Sequence, residues 1–248
     1  MLKYHKILTH KEADSEYNMG TFYSPPLVHD GLILCTDAKN TKSYPGSGST
    51  LSDIGSGVDG TIYNATFDSS GYFNFDGSGD YISLDNFSSK LIGMTSYTLS
   101  LWFRYHTGTG YVYLLSMGDG SVTWNSKKWH ISLNRNSSKF WWGSFGASTN
   151  ENDNCGSAMT NNTIYNVVFN SDGTIYKNGV SDATGKTDVG FDNCQTINYF
   201  NIGALKMNGS IYGPQMANAR VYQMGIYNRV LTASEVLENY NALKHRFT

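Results

Sequence analysis

The chain has 248 residues, a formal net charge of −2 and only 15% charged residues, set against 14% aromatics and 26 glycines. A near-neutral chain without a basic stripe excludes a nucleic-acid surface built on lysine and arginine. With no run of about 18 apolar residues it excludes a membrane-spanning helix. The glycine and aromatic content suits many short strands joined by tight turns, within the size of one large all-β unit.

The first thirty residues stand apart. They are polar and mixed in charge, and Ser24-Pro25-Pro26 stiffens their end into an extended segment. Residues 1–30 are expected to form an N-terminal arm, either packed on its own domain or ordered on a partner. Residues 31–248 are expected to form a single domain. It opens with GLILCTDAKNTKSYPGSG (Gly31 to Gly48), an apolar strand ending at Asp37 before a Ser-Tyr-Pro-Gly loop. VDGTIYNATF (Val58 to Phe67) and FNFDGSGDYISL (Phe73 to Leu84) follow as short strands around Asp-Gly turns. In YTLSLWFRY, Tyr97, Leu99, Leu101, Phe103 and Tyr105 alternate with Thr98, Ser100, Trp102 and Arg104, which predicts a strand with one buried face. IYNVVFNSDGTIYKNG (Ile164 to Gly179) repeats that pattern through Tyr165, Val167 and Phe169. Near the end, Asn208-Gly209 supplies the turn of a tight hairpin. Thr232 and Glu235 have the spacing of a capping box, and Val236, Leu237, Tyr240 and Leu243 are expected to share the docking face of a closing helix.

The closing pattern Tyr227, Asn228, Arg229, Leu231, Thr232 and Glu235 resembles the last strand and turn of laminin-G-like and concanavalin A-like jelly-roll domains. The five blocks before it resemble that family in the same order, so the likeness covers residues 31 to 244. It implies an all-β, two-sheet antiparallel jelly-roll sandwich with a short C-terminal helix and an N-terminal arm. It also implies a module that binds or attaches, with no enzymatic role. The chain opens without a basic segment leading into an apolar one, so no secretory signal is expected. Short lectin-like chains of this kind resemble proteins of marine bacteriophages. The expectation is therefore a virion structural or attachment protein released by lysis, as capsid decoration or as a tail or fibre component. Its expected partners are other virion proteins, copies of itself (a trimer or higher) and cell-surface glycans. The alternatives are a free carbohydrate-binding lectin and a glucanase.

Candidate chemistry is sparse. Glucanases of this fold carry acid and nucleophile on alternate residues of one strand, about 5 Å apart. Here Glu12 and Glu16 precede the domain, and Glu235 and Glu238 fall on the closing helix. Glu151 is left, with Asp153, in a run from Asn150 to Asn154 expected to be a loop. The six histidines show no metal-ligand spacing, and Cys35 sits in an apolar strand as a core residue. No cofactor is required, but calcium is a candidate, since related domains bind it at a sheet rim through hard oxygen ligands. Asp37, Asp53 and Asp59 are the candidate ligands, with Asp76 and Asp80 as a second set; the competing reading is that each aspartate caps its own turn. Four of the five tryptophans, Trp102, Trp124, Trp141 and Trp142, are the candidate glycan-stacking residues, against core packing or a subunit contact.

Overall fold

A computed structural model describes residues 26–121, 128–145, 150–184, 191 and 196–247. The first strands are β1 (Leu32–Asp37), β2 (Thr50–Leu51), β3 (Gly60–Tyr63), β4 (Thr66–Asp68), β5 (Tyr72–Asp76) and β6 (Tyr81–Ser83). A 3-10 helix at Asp85–Leu91 leads to β7 (Thr98–Tyr105), β8 (Tyr111–Gly118), β9 (Lys128–Asn134), β10 (Lys139–Phe145) and β11 (Asn150–Cys155). Then come β12 (Tyr165–Asn170), β13 (Thr174–Lys177), β14 (Val180–Thr184), β15 (Tyr199–Ile202), β16 (Lys206–Met207), β17 (Ser210–Ile211) and β18 (Asn218–Tyr227). Helix α1 (Ala233–Phe247) closes the domain.

The first sheet runs β14-β13-β12-β7-β18-β5-β4, with β1 also paired to β18. The second runs β11-β10-β9-β8-β15-β6-β3-β2, and β16-β17 is a separate hairpin. Every pairing is antiparallel. The expected two-sheet concanavalin A-like sandwich is thus what the chain forms. Between the sheets, Leu99, Leu101 and Phe103 of the first meet Ile82, Leu115, Ile131 and Trp142 of the second in one apolar core. Such burial, near 25 cal/mol per Å² of apolar surface, is the main drive of the fold.

β7 departs from its expected pattern in one respect. The inner residues are buried as predicted, but Thr98, Ser100 and Trp102 on the other face are buried too. The covering is α1 and the segment that leads into it. Thr98 Oγ1 donates to Asn170 Oδ1 and accepts from Leu231 N, while Asn170 Nδ2 donates to Leu231 O. A polar face can be buried when each group finds a partner. The capping box is present: Thr232 N donates to Glu235 Oε2 at 2.8 Å, and Glu235 N donates to Thr232 Oγ1 at 3.3 Å. Val236 and Leu243 dock as expected, but Leu237 is 44% exposed. Asn239 faces inward instead, donating to the Tyr227 hydroxyl and accepting from Val28 N. Polar Asn239 carries no hydrophobic signal, which is why periodicity passed over it.

The run Asn150 to Asn154 is a strand, β11, rather than a loop. It is an edge strand, where polar residues are tolerated and no alternation marks the element. Of the expected arm, residues 1–25 lie outside the described residues; Leu27 packs with Phe247 and Leu243 of α1. Among the described residues, no helix is long and apolar enough to cross a membrane.

Candidate functional site

Strands β3, β6 and β15 lie side by side in the second sheet. Their inward residues Ile82, Phe200 and Ile202 enter the core, so alternation turns Tyr63, Tyr81, Ser83 and Asn201 to the outer face. Register then sets them in rows: Tyr63 opposite Tyr81, and Ser83 opposite Asn201. The two tyrosine rings stack at 4.4 Å with an interplanar angle of 10°. The β16–β17 hairpin forms the facing wall. Its turn needs positive φ at both central positions, and Asn208 (49°) and Gly209 (78°) supply it.

Together these elements enclose a cleft of about 360 Å³ lined by Tyr63, Tyr81, Ser83, Asp85, Asn201, Lys206 and the hairpin residues Gly209 to Ile211. Asp85 is fixed in place, accepting from Phe200 N at 3.0 Å through Oδ1, with Lys206 Nζ 3.8 Å from Oδ2. Asn201 is only 1% exposed, and its Nδ2 has no hydrogen-bond partner among the described residues. A buried donor left unpaired costs about 1–3 kcal/mol, which an acceptor arriving in the cleft would recover. The Tyr81 hydroxyl titrates above its ordinary range, first because of burial and then because of Tyr63 and Asp85 nearby. Exposed Tyr63 offers an apolar ring face, while Asn201, Ser83, Asp85 and Lys206 offer donors and acceptors. A site with one aromatic platform and a few fixed polar groups suits a small polyhydroxylated ring.

Beside the cleft, among the described residues, several side chains of this sheet are packed away. Tyr113, Tyr199, Leu205 and Met207 pack under the hairpin, and Ser116 Oγ donates to Ala204 O. His130 is buried against Ser132, and burial pushes its imidazole down to about 3.

The structure separates the tryptophans that the sequence grouped. Trp102 is buried on the first sheet beneath α1, its ring stacked on Tyr240 at 5.5 Å and 1°. Trp142 is buried in the central core against Phe169. Neither can stack on a sugar, because protein already occupies their faces. Trp141 is half-buried on β10, with its ring against His130 and Tyr111. Trp124 lies outside the described residues.

Of the aspartates expected to hold calcium, Asp37 and Asp53 are engaged by groups of the protein itself. Asp37 is buried, bonded to Arg246 and accepting from Lys39 N; burial raises its carboxyl, and Arg246 pulls it back. Asp53 accepts from the backbone of Cys35, Gly55 and Ser56 and from the Ser56 hydroxyl, as a turn cap does. Asp59 is exposed ahead of β3. Among the described residues, no group of three or more acidic, histidine or cysteine side chains could hold a metal ion. In the second set, Asp80 accepts from Asp76 N and Asp76 from Ser78 N, again as turn caps.

Sequence reasoning missed Tyr63, Tyr81 and Asn201. A signal existed for the first two, which fall on the polar side of the Thr61–Tyr63 and Tyr81–Ser83 alternations. Nothing in the sequence joined them, because their pairing is set by register across strands.

Two antiparallel sheets packed face to face around one apolar core place the chain in the jelly-roll sandwich class. The chain belongs to the concanavalin A-like lectin/glucanases superfamily, whose profile matches residues 76–237. No curated protein matches it. Among solved structures it is similar to Trypanosoma rangeli sialidase, with a TM-score of 0.63, 20% identity, and 96% of this chain and 38% of that chain covered. The same sialidase with 2,3-difluorosialic acid as a covalent intermediate gives 0.64 at 18% identity, with the same coverage. The K499G mutant of NanB sialidase from Streptococcus pneumoniae gives 0.54 at 16%, covering 67% of this chain and 27% of that one. The chain therefore spans well under half the length of these sialidases, and likeness at this level carries the fold alone. The expectation of a virion structural or attachment protein is corrected here. It rested on family likeness and on the missing export signal, and the structures this chain resembles are sialidases.

Proposed function

We propose that this domain recognises a carbohydrate in the Tyr63–Tyr81–Asn201 cleft, as a non-catalytic accessory module of a carbohydrate-active protein. The observation that carries this reading is the buried Asn201 Nδ2, without a partner among the described residues, beside exposed Tyr63 stacked on Tyr81. The sugar's C–H face packs on Tyr63, and a ring hydroxyl accepts from Asn201, while Asp85 and Lys206 take the rim hydroxyls. The accessory role is supported by the sialidase structures, of which a domain of this size makes up 38%. The non-catalytic role is supported by the cleft itself, where Asp85 is the one carboxylate among the described lining residues and is already bonded to Phe200 N and near Lys206. Acid–nucleophile hydrolysis needs two carboxylates.

Calorimetric titration with a panel of neutral and acidic monosaccharides and disaccharides tests the binding. Tyr63→Ala and Asn201→Ala are each expected to weaken the best ligand about 10-fold while the protein stays folded, the worth of one ring contact or one hydrogen bond. Unchanged affinity in both would place the ligand elsewhere. Hydrolysis of a fluorogenic sialoside or a β-glucan by the purified chain, abolished by Glu151→Gln, would overturn the non-catalytic half.

A further inference from the structure

The outer face of the first sheet holds a second arrangement that the cleft does not use. Arg104 of β7 and Arg220 of β18 are directly opposite in the antiparallel register, and Arg220 is opposite Asn74 of β5 on its other side. Their neighbours Phe103, Tyr105, Ala219 and Val221 enter the core, so both arginines project outward. Residues paired this way have Cβ atoms about 4.5–5.5 Å apart, and like charges there repel. Sheets normally avoid such a pair or neutralise it. Among the described residues, no salt bridge joins either arginine to a carboxylate.

The groups around the pair hold the guanidinium planes without neutralising them. Arg104 Nη2 donates to Asn162 Oδ1 at 3.1 Å, and the Arg220 guanidinium lies 4.4 Å over the Tyr72 ring. The Tyr222 ring lies beside Tyr72, centroids 5.4 Å apart. His106 adds a third nitrogen base, its Nδ1 3.1 Å from the same Asn162 Oδ1, and burial first, then both arginines, disfavour its protonation. The acid that reaches Arg220 electrostatically is Asp68, whose oxygens are engaged by Ser70 and Tyr72, and those bonds outweigh the pull of Arg220. The Nε of each arginine is shielded from solvent and has no acceptor among the described residues. Two guanidiniums held in place, two Nε–H donors without an acceptor and no carboxylate ion-paired to either arginine among the described residues leave a place for an anion. Guanidinium forks match oxyanions in a bidentate way.

We infer that Arg104 and Arg220 form an anion-binding site on the face opposite the cleft, for the carboxylate or sulfate group of an acidic saccharide. Tyr72 and Tyr222 are buried beside the pair and back it from the protein side. The site does not rest on the carbohydrate reading of the cleft, which lies on the other sheet, so either can fail alone.

The test is NMR titration of the whole chain, following the arginine Nε–Hε resonances. Glucuronate, glucose 6-sulfate and inorganic sulfate are the probes, glucose is the neutral control, and ionic strength is held constant. Saturable shifts at Arg104 and Arg220 with the acidic probes and none with glucose support the site. Glucuronate against glucose 6-sulfate then shows which oxyanion it prefers, and inorganic sulfate alone shows whether the saccharide contributes. The variant Arg104→Gln/Arg220→Gln is expected to bind the preferred acidic sugar at least about 10-fold more weakly. Sulfate stabilises proteins generally by exclusion, so the decisive thermal comparison is the extra rise in Tm in the wild type over the variant. Resonances that do not move, or an equal sulfate response in both proteins, would overturn the inference.

Discussion

Glu235 shows how much one side chain carries. Its carboxylate accepts from Arg229 Nη2 at 2.6 Å, Arg229 Nη1 at 3.0 Å, Thr232 N at 2.8 Å and Thr232 Oγ1 at 2.9 Å. Arg229 also reaches Asp30, tying the start of the domain to the start of its last helix. These bonds, Arg229's first, pull the carboxyl from 4.5 down to about 2 against the opposing effect of burial. A depressed folded value means stability that is complete above the unfolded value and lost as pH falls through the folded one. Unfolding free energy is therefore expected to drop as pH goes from about 4.5 towards 2, and Glu235→Gln to remove that slope. The pair is solvent-accessible, so the amount is below about 1 kcal/mol. Urea melts at stepped pH measure it, and an unchanged slope in the variant would assign the acid sensitivity to other groups. Cys35 illustrates the opposite case: burial pushes its thiol up to about 12, so it is a core group and not a nucleophile.

Helix α1 turns a polar-looking strand face into a second core. It covers Cys35, Tyr72, Trp102 and Tyr222, with Trp102 stacked on Tyr240 and packed against Phe247. Trp102→Ala is expected to cost about 3–5 kcal/mol, as large-to-small changes at fully buried aromatics do. It should leave sugar affinity at the cleft unchanged. Denaturant unfolding alongside calorimetric titration separates the alternatives, since a sugar-stacking tryptophan would lose affinity and little stability. β18 is the matching organiser of the first sheet. It is shared lengthwise, pairing β5 over Asn218 to Val221 and β1 over Gln223 to Tyr227, with a register shift between Val221 and Gln223. A bulge adds twist and re-aims side chains; Tyr222 is the extra residue of this one, with Arg220 two positions before it.

The sandwich keeps its two candidate sites apart. The cleft belongs to the outer face of one sheet and the arginine pair to the outer face of the other, with the whole apolar core between them. Packed sheets stand about 10 Å apart, and sites at such separations act additively. Tyr63→Ala is thus expected to leave the anion response of Arg104 and Arg220 intact, and Arg104→Gln to leave neutral-sugar affinity intact. A double-mutant cycle read by titration checks this. Coupling well beyond about 0.5 kcal/mol would mean that one ligand spans both faces or that the sheets shift together.

Local chemistry by itself determined the fold class and much of its wiring. The alternation of Leu99, Leu101 and Phe103, the turns at Asn178-Gly179 and Asn208-Gly209, and the Thr232–Glu235 box are short-range patterns, and each is realised. Polar elements without periodicity are not legible, which is why β11 reads as a loop and Asn239 carries no signal of its inward position. Only the tertiary structure decided which aromatics are free. Trp102 and Trp142 look like Trp141 in sequence, but whether a ring faces solvent depends on what lies above it. A helix more than a hundred residues further along the chain covers Trp102, and the opposite sheet covers Trp142. Strand register decided the sites in the same way. Tyr63 meets Tyr81, Ser83 meets Asn201 and Arg104 meets Arg220 because hydrogen-bond ladders align residues that the chain keeps far apart, and no local pattern encodes that alignment.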